Sequence, residues 1–572
     1  MKNVKNLFGM AVMATALVGC SSNDNLNPNA NDNGGKTGEA YASFKINLPT
    51  TSGTRATAGE PTFDYGDAAE YAVKNGTILI FDANTDKFVT SAELGTMNPW
   101  TDVKDNKGVT TSAIATVQLS NVSVKGKYKA LVLLNNDVDD GTTKVTKVTL
   151  PTTTDTYASW SKETANVNAD KYLSTDGFFM ANAPMYSTTT DPTTLVEIKN
   201  VCASREEAQA KAATVVYVER GLAKVTMKNF DANYPITEGT YKGDNVVITN
   251  WQLDVTNNST FPVHQTGTLS TSFAKIWETP RFFDGDNATF KRVYWGVDPN
   301  YDTDVYQTDL DECKKAFKMI KNNEVKGVAG TPQYCLENTF NLANMKQGQT
   351  TRVVFKAVFT PQGTDFKAGD TFYKIGNNTA IWSGKNLEAQ IKAKAQEVLK
   401  EPDASKVKVK LDASTNNLTV AGVRLVNDDN VSLVIDDEGT TRKLNKAEVN
   451  DLNTKLGLHE ATTTDPKVGI STYYNGEAYY IARIKHFNEL TKWNAGESYF
   501  DVSNQPLNEK FLGRYGVLRN NWYDLSVKNV SGLGYPEVPD VKPNVPDDEN
   551  DKYINVEVKI LDWAKRSQSI DL

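Results

Sequence analysis

The side chains that could do chemistry in this sequence are few and far apart. Cys20 closes the stretch Leu17-Val18-Gly19-Cys20, the pattern of a lipobox. Small residues there would let a signal peptidase reach the backbone, and the thiol would carry a lipid. Ahead of it, Lys2 and Lys5 form a positive start, and Leu7 to Val18 is an apolar run too short to remain as a membrane helix. A plain signal peptide that contains Cys20 by chance is the alternative. Arg55 and Ala56 lie in the small-residue loop Thr50 to Gly59, and Arg55 is the first arginine of the chain, with Arg205 the next. Such a loop is one that a protease can enter.

Conventional catalytic patterns are missing. The three histidines, His264, His459 and His486, are far apart and lack metal-ligand spacing. No nucleophile elbow, phosphate loop or dinucleotide fingerprint occurs. A glycosidase-type carboxylate pair has no sequence signature, and nothing selects one. Asp82 to Asp86 and Asp137 to Asp140 could hold Ca²⁺, but acidic hairpin turns account for them as well. No enzyme activity, metal or cofactor is expected. A net charge of −8 disfavours nucleic acid or an anionic membrane surface as partner. Once Cys20 is set aside, Cys202, Cys313 and Cys335 remain. Cys313 and Cys335 could pair in an oxidising compartment, and buried free thiols are the alternative.

The elements that would position these groups read as mainly β. At 572 residues the chain exceeds one ordinary core. Thr77 to Phe81 and Ala130 to Leu134 are continuous apolar runs that suit strands buried on both faces. Val353, Phe355, Ala357 and Phe359 alternate with their neighbours as in a half-buried strand. Asn475-Gly476 between apolar runs predicts a hairpin. Helices are expected over Leu310 to Ile320 and Leu387 to Leu399, and loops over 97–111 and 136–170. A strand is expected over Val215 to Met227, with a domain boundary at about 228–240. Trp251, Trp277, Trp382 and Trp493 are expected in the core or on sheet faces rather than as exposed sugar platforms.

Two segments share one pattern. Near the front, Ala42, Phe44, Ile46 and Leu48 alternate with Ser43, Lys45 and Asn47. Near the end, Ile554, Val556, Val558 and Ile560 alternate with Asn555, Glu557 and Lys559. Each presents four inward side chains at period two, so each could fill the same slot in a sheet. Pro536, Pro539, Pro543 and Pro546 punctuate an acidic run before the final segment and predict an extended spacer that projects it. Cutting after Arg55 would remove the lipid and the front strand together and open a groove. Four such side chains entering it are worth about 6–12 kcal/mol. A final strand that folds back into its own domain is the alternative.

With these pieces in order, the chain resembles the type V pilus fimbrilins, the FimA- and Mfa-type major fimbrial subunits of Bacteroidales, and most the longer Mfa-type shaft subunit. The resemblance rests on the Cys20 lipobox, the strand leading to Arg55-Ala56, Tyr128 to Asn135, Glu219 to Thr226, Cys335 to Asn338, Thr351 to Pro361, Arg519 to Tyr523 and the closing Val556 to Trp563 and Asp571-Leu572. It implies two tandem transthyretin-like β-sandwich domains with inserted helices and a C-terminal donor strand. Residues 1–19 would be a lipoprotein signal peptide, and 20–55 a propeptide with a tether and a removable first strand. The N-terminal sandwich would span 56–230, the C-terminal sandwich 231–540, and the Pro/Asp-rich spacer and donor strand 541–572. It also implies lipidation at Cys20, cleavage at Arg55–Ala56 by an arginine-specific protease, and donation of Tyr553 to Leu561 to an identical subunit in a head-to-tail fibre. The precursor would be an outer-membrane lipoprotein and the product a surface fimbrium for adhesion. Fimbrial anchor and tip proteins, and host or bacterial surface receptors, would be further partners. A fimbrial anchor, a tip or accessory lipoprotein, and a glycan-binding surface lipoprotein are the competing readings, since insertions such as 97–111 or 362–470 could hold a binding module.

Overall fold

The computed structural model describes residues 39–49, 67–95, 101–105, 109–139, 144–173, 177–187, 190–267, 293, 295–303, 309–363, 365–463, 465–486, 512–546, 554–561 and 566–567. The fold is mainly β, with two tandem β-sandwich regions and a third unit inserted in the second.

The first region is built on a nine-stranded sheet. Thr77 to Phe81 and Ala130 to Leu134 fall within paired antiparallel strands, Gly76–Asp82 and Tyr128–Leu134. Ile78 to Phe81 and Ala130 to Leu134 are fully buried, as unbroken apolar runs demand. The front strand Ala40–Pro49 lies inside this sheet. On one side it runs parallel to Thr214–Arg220 and on the other antiparallel to Val109–Leu119. The segments read as loops are partly structured. Thr101–Asp105 and Val109–Leu119 form a hairpin at the sheet's end. Trp160, from the 136–170 stretch, is buried and donates its indole N–H to the Thr149 carbonyl at 2.8 Å.

The expected single strand from Val215 to Met227 is two strands. Thr214–Arg220 belongs to the first sheet and Ala223–Met227 to the second. Gly221 and Leu222 turn the chain between them, and the cores change over at the same point.

In the second region a five-stranded sheet faces a four-stranded one. The five-stranded sheet runs Gln333–Cys335, Ala223–Met227, Trp522–Val530, Ile554–Leu561, Arg566–Ser567. The other contains Tyr234–Pro235, Asn245–Asp254, Arg352–Thr360 and Glu477–Arg483. Val353, Phe355, Ala357 and Phe359 all point into the core between them. Val354 is buried as well, under a small cluster with Tyr479 and Ile481 on the opposite face.

The inserted unit has its own core. Leu387, Ile391 and Ala395 from the helix Gly384–Leu399 pack with Leu418, Val426 and Leu452. The other expected helix is shorter than the sequence pattern suggests. Leu310–Ala316 is helical, and Phe317–Lys318 then pairs as a strand with Thr256–Asn257. Asn475-Gly476 does not close a hairpin. Both residues do adopt the left-handed backbone that such a turn needs (φ 53° and 71°). The chain nonetheless changes sheets there: Ile470–Tyr473 stays with the inserted unit, and Glu477–Arg483 joins Arg352–Thr360.

Candidate assembly site

The front strand is held on every side. Ala42, Phe44, Ile46 and Leu48 are all 0% exposed. The face read as polar is largely covered too, because the helix Arg205–Ala210 lies across it. Ser43 donates to the Ala208 carbonyl at 2.8 Å, and Ser112 donates to Asn47 Oδ1 at 2.8 Å. Lys45 alone of that face is exposed. An extended segment flanked by two ladders is therefore the piece that completes this core.

The final strand stands at a different kind of position. Ile554–Leu561 pairs antiparallel with Trp522–Val530 of the same chain, the fold-back arrangement. Its register sets Ile554 opposite Val530, Val556 opposite Val527, Val558 opposite Leu525 and Ile560 opposite Tyr523. Directly opposed residues share a sheet face, and those four partners are core residues. Among the described residues the outer side of the strand pairs with Arg566–Ser567, at Lys559 and Ile560.

The proline-rich segment before it does not project freely through residue 546. Its carbonyls and one side chain anchor it. Arg352 donates to the Pro539 carbonyl at 2.7 Å, Gln347 N–H to the Val545 carbonyl at 2.9 Å, and Val541 is buried with Val255 and Phe317.

Three segments singled out in the sequence meet between the two cores. Lys224 lies opposite Trp522 in a parallel ladder, its ammonium 3.9 Å from the Trp522 ring centre. That ammonium also pairs with Glu70 at 2.7 Å, and Tyr334 donates to the same carboxylate at 2.6 Å. Asn520 N–H donates to the Leu222 carbonyl at 2.7 Å. Asn338 and Val517 exchange two backbone hydrogen bonds, and Arg519 pairs with Glu337 at 3.3 Å. Glu219, Glu337 and Arg519 are each 2% exposed or less. This network clamps the domains, a role that the sequence pattern did not disclose.

The other candidates are structural in character. His264 sits 2.6 Å from Glu219 and 3.2 Å from the Trp295 carbonyl. His486 is buried against the Tyr523 hydroxyl at 2.8 Å, while His459 is exposed. Asp82 accepts from Asn84 and Thr85 as a turn does, hydrogen bonds that hold its carboxyl below the usual range. Among the described residues no group of three or more His, Cys, Asp or Glu is placed to hold a metal ion. Cys202, Cys313 and Cys335 are buried thiols, and Cys313 and Cys335 form no disulfide with one another. Burial pushes the Cys313 thiol up to about 11 and Cys335 to about 12. Trp251 is in the core and Trp382 half-buried. Cys20, Arg55, Ala56, Tyr553, Trp277 and Trp493 lie outside the described residues.

Residues 471–569 match a family model described as major fimbrial subunit protein type IV, fimbrillin, C-terminal. The matched stretch contains both Trp522–Val530 and the strand paired with it. The carboxyl-terminal part of this chain resembles the fimbrillins. No curated relative matches it. Among solved structures, it is similar to a candidate cell adhesion protein from Parabacteroides distasonis, at 10% identity and TM-score 0.37, covering 92% of this chain and 99% of the other. The tip fimbrial protein Mfa3 from Porphyromonas gingivalis, C-terminally truncated, is 11% identical with TM-score 0.27, covering 91% of this chain and all of the other. Likenesses this distant say nothing about activity or partners.

Proposed function

We propose that this chain is a structural subunit of a surface fimbrium, made as a lipoprotein anchored through Cys20. Cleavage between Arg55 and Ala56 removes the front strand, and the final strand of a second copy then takes its place. The observation that carries this reading is the contrast between the two strand positions. The front strand is flanked by ladders of ten and four residue pairs and completes a core, whereas the final strand has one ladder of eight pairs and only two pairs, with Arg566–Ser567, on its other side.

A strand moving from the second position to the first exchanges ladders of eight and two pairs for ladders of ten and four. Each added hydrogen bond contributes about 0.5–1.5 kcal/mol. The seven-residue core repeat, Ala42 to Leu48, also has the length and phase of Ile554 to Ile560. Donor and acceptor lie on different domains, so the contact is head-to-tail and extends into an open filament.

A second reading is supported by the docked final strand: a self-complete anchor or accessory subunit that keeps its front strand. Mass spectrometry of protein sheared from cells separates the two. A mature N-terminus at Ala56, with ladders that resist SDS on unboiled gels, is the result expected of the polymerising subunit. An intact, lipidated Cys20 terminus in monomers would overturn it.

A further inference from the structure

The inserted unit carries a cleft that the assembly reading does not use. It has a volume of about 670 Å³ and lies against the unit's own core, with which it shares Val426 and Leu458. One wall is the helix Lys446–Lys455, which presents Asn450, Asn453 and Thr454. These lie three and four residues apart and so share a face. The facing wall is the turn around Thr415 and Asn416 with the segment Arg424 to Asn427. Leu458, His459, Glu460 and Lys467 close the end.

Asn453 fixes the two walls to one another. It is buried, donates to the Val426 carbonyl at 2.7 Å and accepts the Val426 N–H at 3.0 Å. Asn427 donates to the Thr415 hydroxyl at 2.8 Å, which ties the turn to the same frame. The polar groups left facing the opening are the Asn450 amide, which is exposed, and the Nε2 edge of His459. Neither has a side-chain partner there among the described residues.

We propose that this cleft binds a neutral saccharide. Amide, hydroxyl and imidazole groups offer donors and acceptors side by side, as the vicinal hydroxyls of a sugar require. Leu425, Val426 and Leu458 supply apolar floor for its C–H faces. The charges are matched rather than aimed at an anion. Lys467 pairs with Glu460 at 3.3 Å, and Arg424 donates to the Val420 and Ala421 carbonyls and faces Glu537. Among the described residues, a phosphate or sulfate would find no uncommitted lysine or arginine in the lining. No Phe, Tyr or Trp among the described residues lines the cleft, so stacking on a large ring does not contribute and single-site binding is weak. In a polymerised fibre, repetition along the axis multiplies that weak contact into avidity. Binding itself does not depend on polymerisation.

The test uses the purified full-length chain as monomer, with saturation-transfer NMR against maltose, lactose and N,N′-diacetylchitobiose at millimolar concentration. Saturation should reach the ring protons of at least one of them. Asn450→Leu and His459→Ala should each weaken binding about two- to ten-fold, the effect of one lost hydrogen bond. Lys385→Ala, on an exposed position of the other helix, should leave it unchanged. No transfer to any of the three sugars would overturn the proposal. So would transfer that survives both cleft variants, or transfer seen only with a heparin disaccharide. All of these are read on monomer, so failure of the assembly reading leaves the result interpretable.

Discussion

Ile46 lies opposite Val216 in a parallel ladder and opposite Ala113 in an antiparallel one. Ile46 and Val216 are both completely buried. A segment from the very front of the fold is thus an interior strand of the first sheet rather than its edge. Removing it separates two strands that do not otherwise pair.

Phe44 measures how much the first core depends on that segment. Phe44→Ala should lower the unfolding free energy of the unprocessed chain by about 3–5 kcal/mol, because nothing nearby can collapse into a site closed by two ladders. Lys45→Ala, one position along and exposed, should change it by less than about 0.5 kcal/mol. Urea unfolding followed by tryptophan fluorescence reads both. Equal, small effects would mean that the first sandwich is stable without its front strand.

Arg519 and Glu337 form an ion pair between the two cores, with side chains 3% and 0% exposed. Removing one partner strands a buried charge. Arg519→Leu alone should therefore cost about 3–5 kcal/mol, as should Glu337→Leu. The double variant should cost much less than the sum, since no charge is left unpaired. A double-mutant cycle in urea checks this, and strict additivity would show that the pair is not coupled.

Both the front strand and the clamp separate what a sequence discloses from what it withholds. Alternation at period two marks the inward set Ala42, Phe44, Ile46 and Leu48, because strand geometry imposes that period locally. Burial of Ser43 was not legible, since it comes from a helix more than 150 residues downstream. The same holds for the clamp. Glu219 to Thr226, Cys335 to Asn338 and Arg519 to Tyr523 each stand out as separate pieces, but their meeting is a property of the folded chain. Asn475-Gly476 gave the right backbone and the wrong partner, because a turn fixes dihedral angles and not the sheet a strand joins. The cleft of the inserted unit had no motif at all. Its amides come from a helix and two loops, and only packing brings them together.

Asp298 should give the protein a pH-dependent stability. Burial pushes its carboxyl up to about 8, with Glu337 adding to the rise and the Thr339 and Asn300 N–H groups opposing it. The folded pKa lies above the unfolded one, about 3.9. Between these values the native state holds a proton that the unfolded chain releases. Stability from this group is therefore full below about pH 4 and declines as pH rises toward 8. Urea midpoints measured from pH 5 to 8.5 should fall, and the fall should be shallower in Asp298→Asn whatever its offset. Parallel slopes in the two proteins would remove Asp298 as the cause.

The final strand allows docking and donation to be pulled apart. Val558 stands opposite Leu525, and Lys559 stands opposite Asp524. Val558→Asp puts a charge at a core-facing register position, so it should weaken both the docked state and insertion into a neighbour's groove. Lys559→Asp instead sets like charges opposite one another in the docked ladder, which destabilises docking. In the proposed groove Lys559 takes the place of Asn47, a buried position that nonetheless accommodates a polar side chain, so insertion should suffer less than from a charge at the place of Ile46. Lys559→Asp should then assemble more slowly than the parent chain but to completion once the front strand is cleaved, while Val558→Asp should barely assemble. Light scattering after protease addition, with SDS-resistant ladders as the end point, reads both variants. If the two were equally impaired, the register of the donated strand would be wrong. If neither were impaired, the final strand would not be the donor.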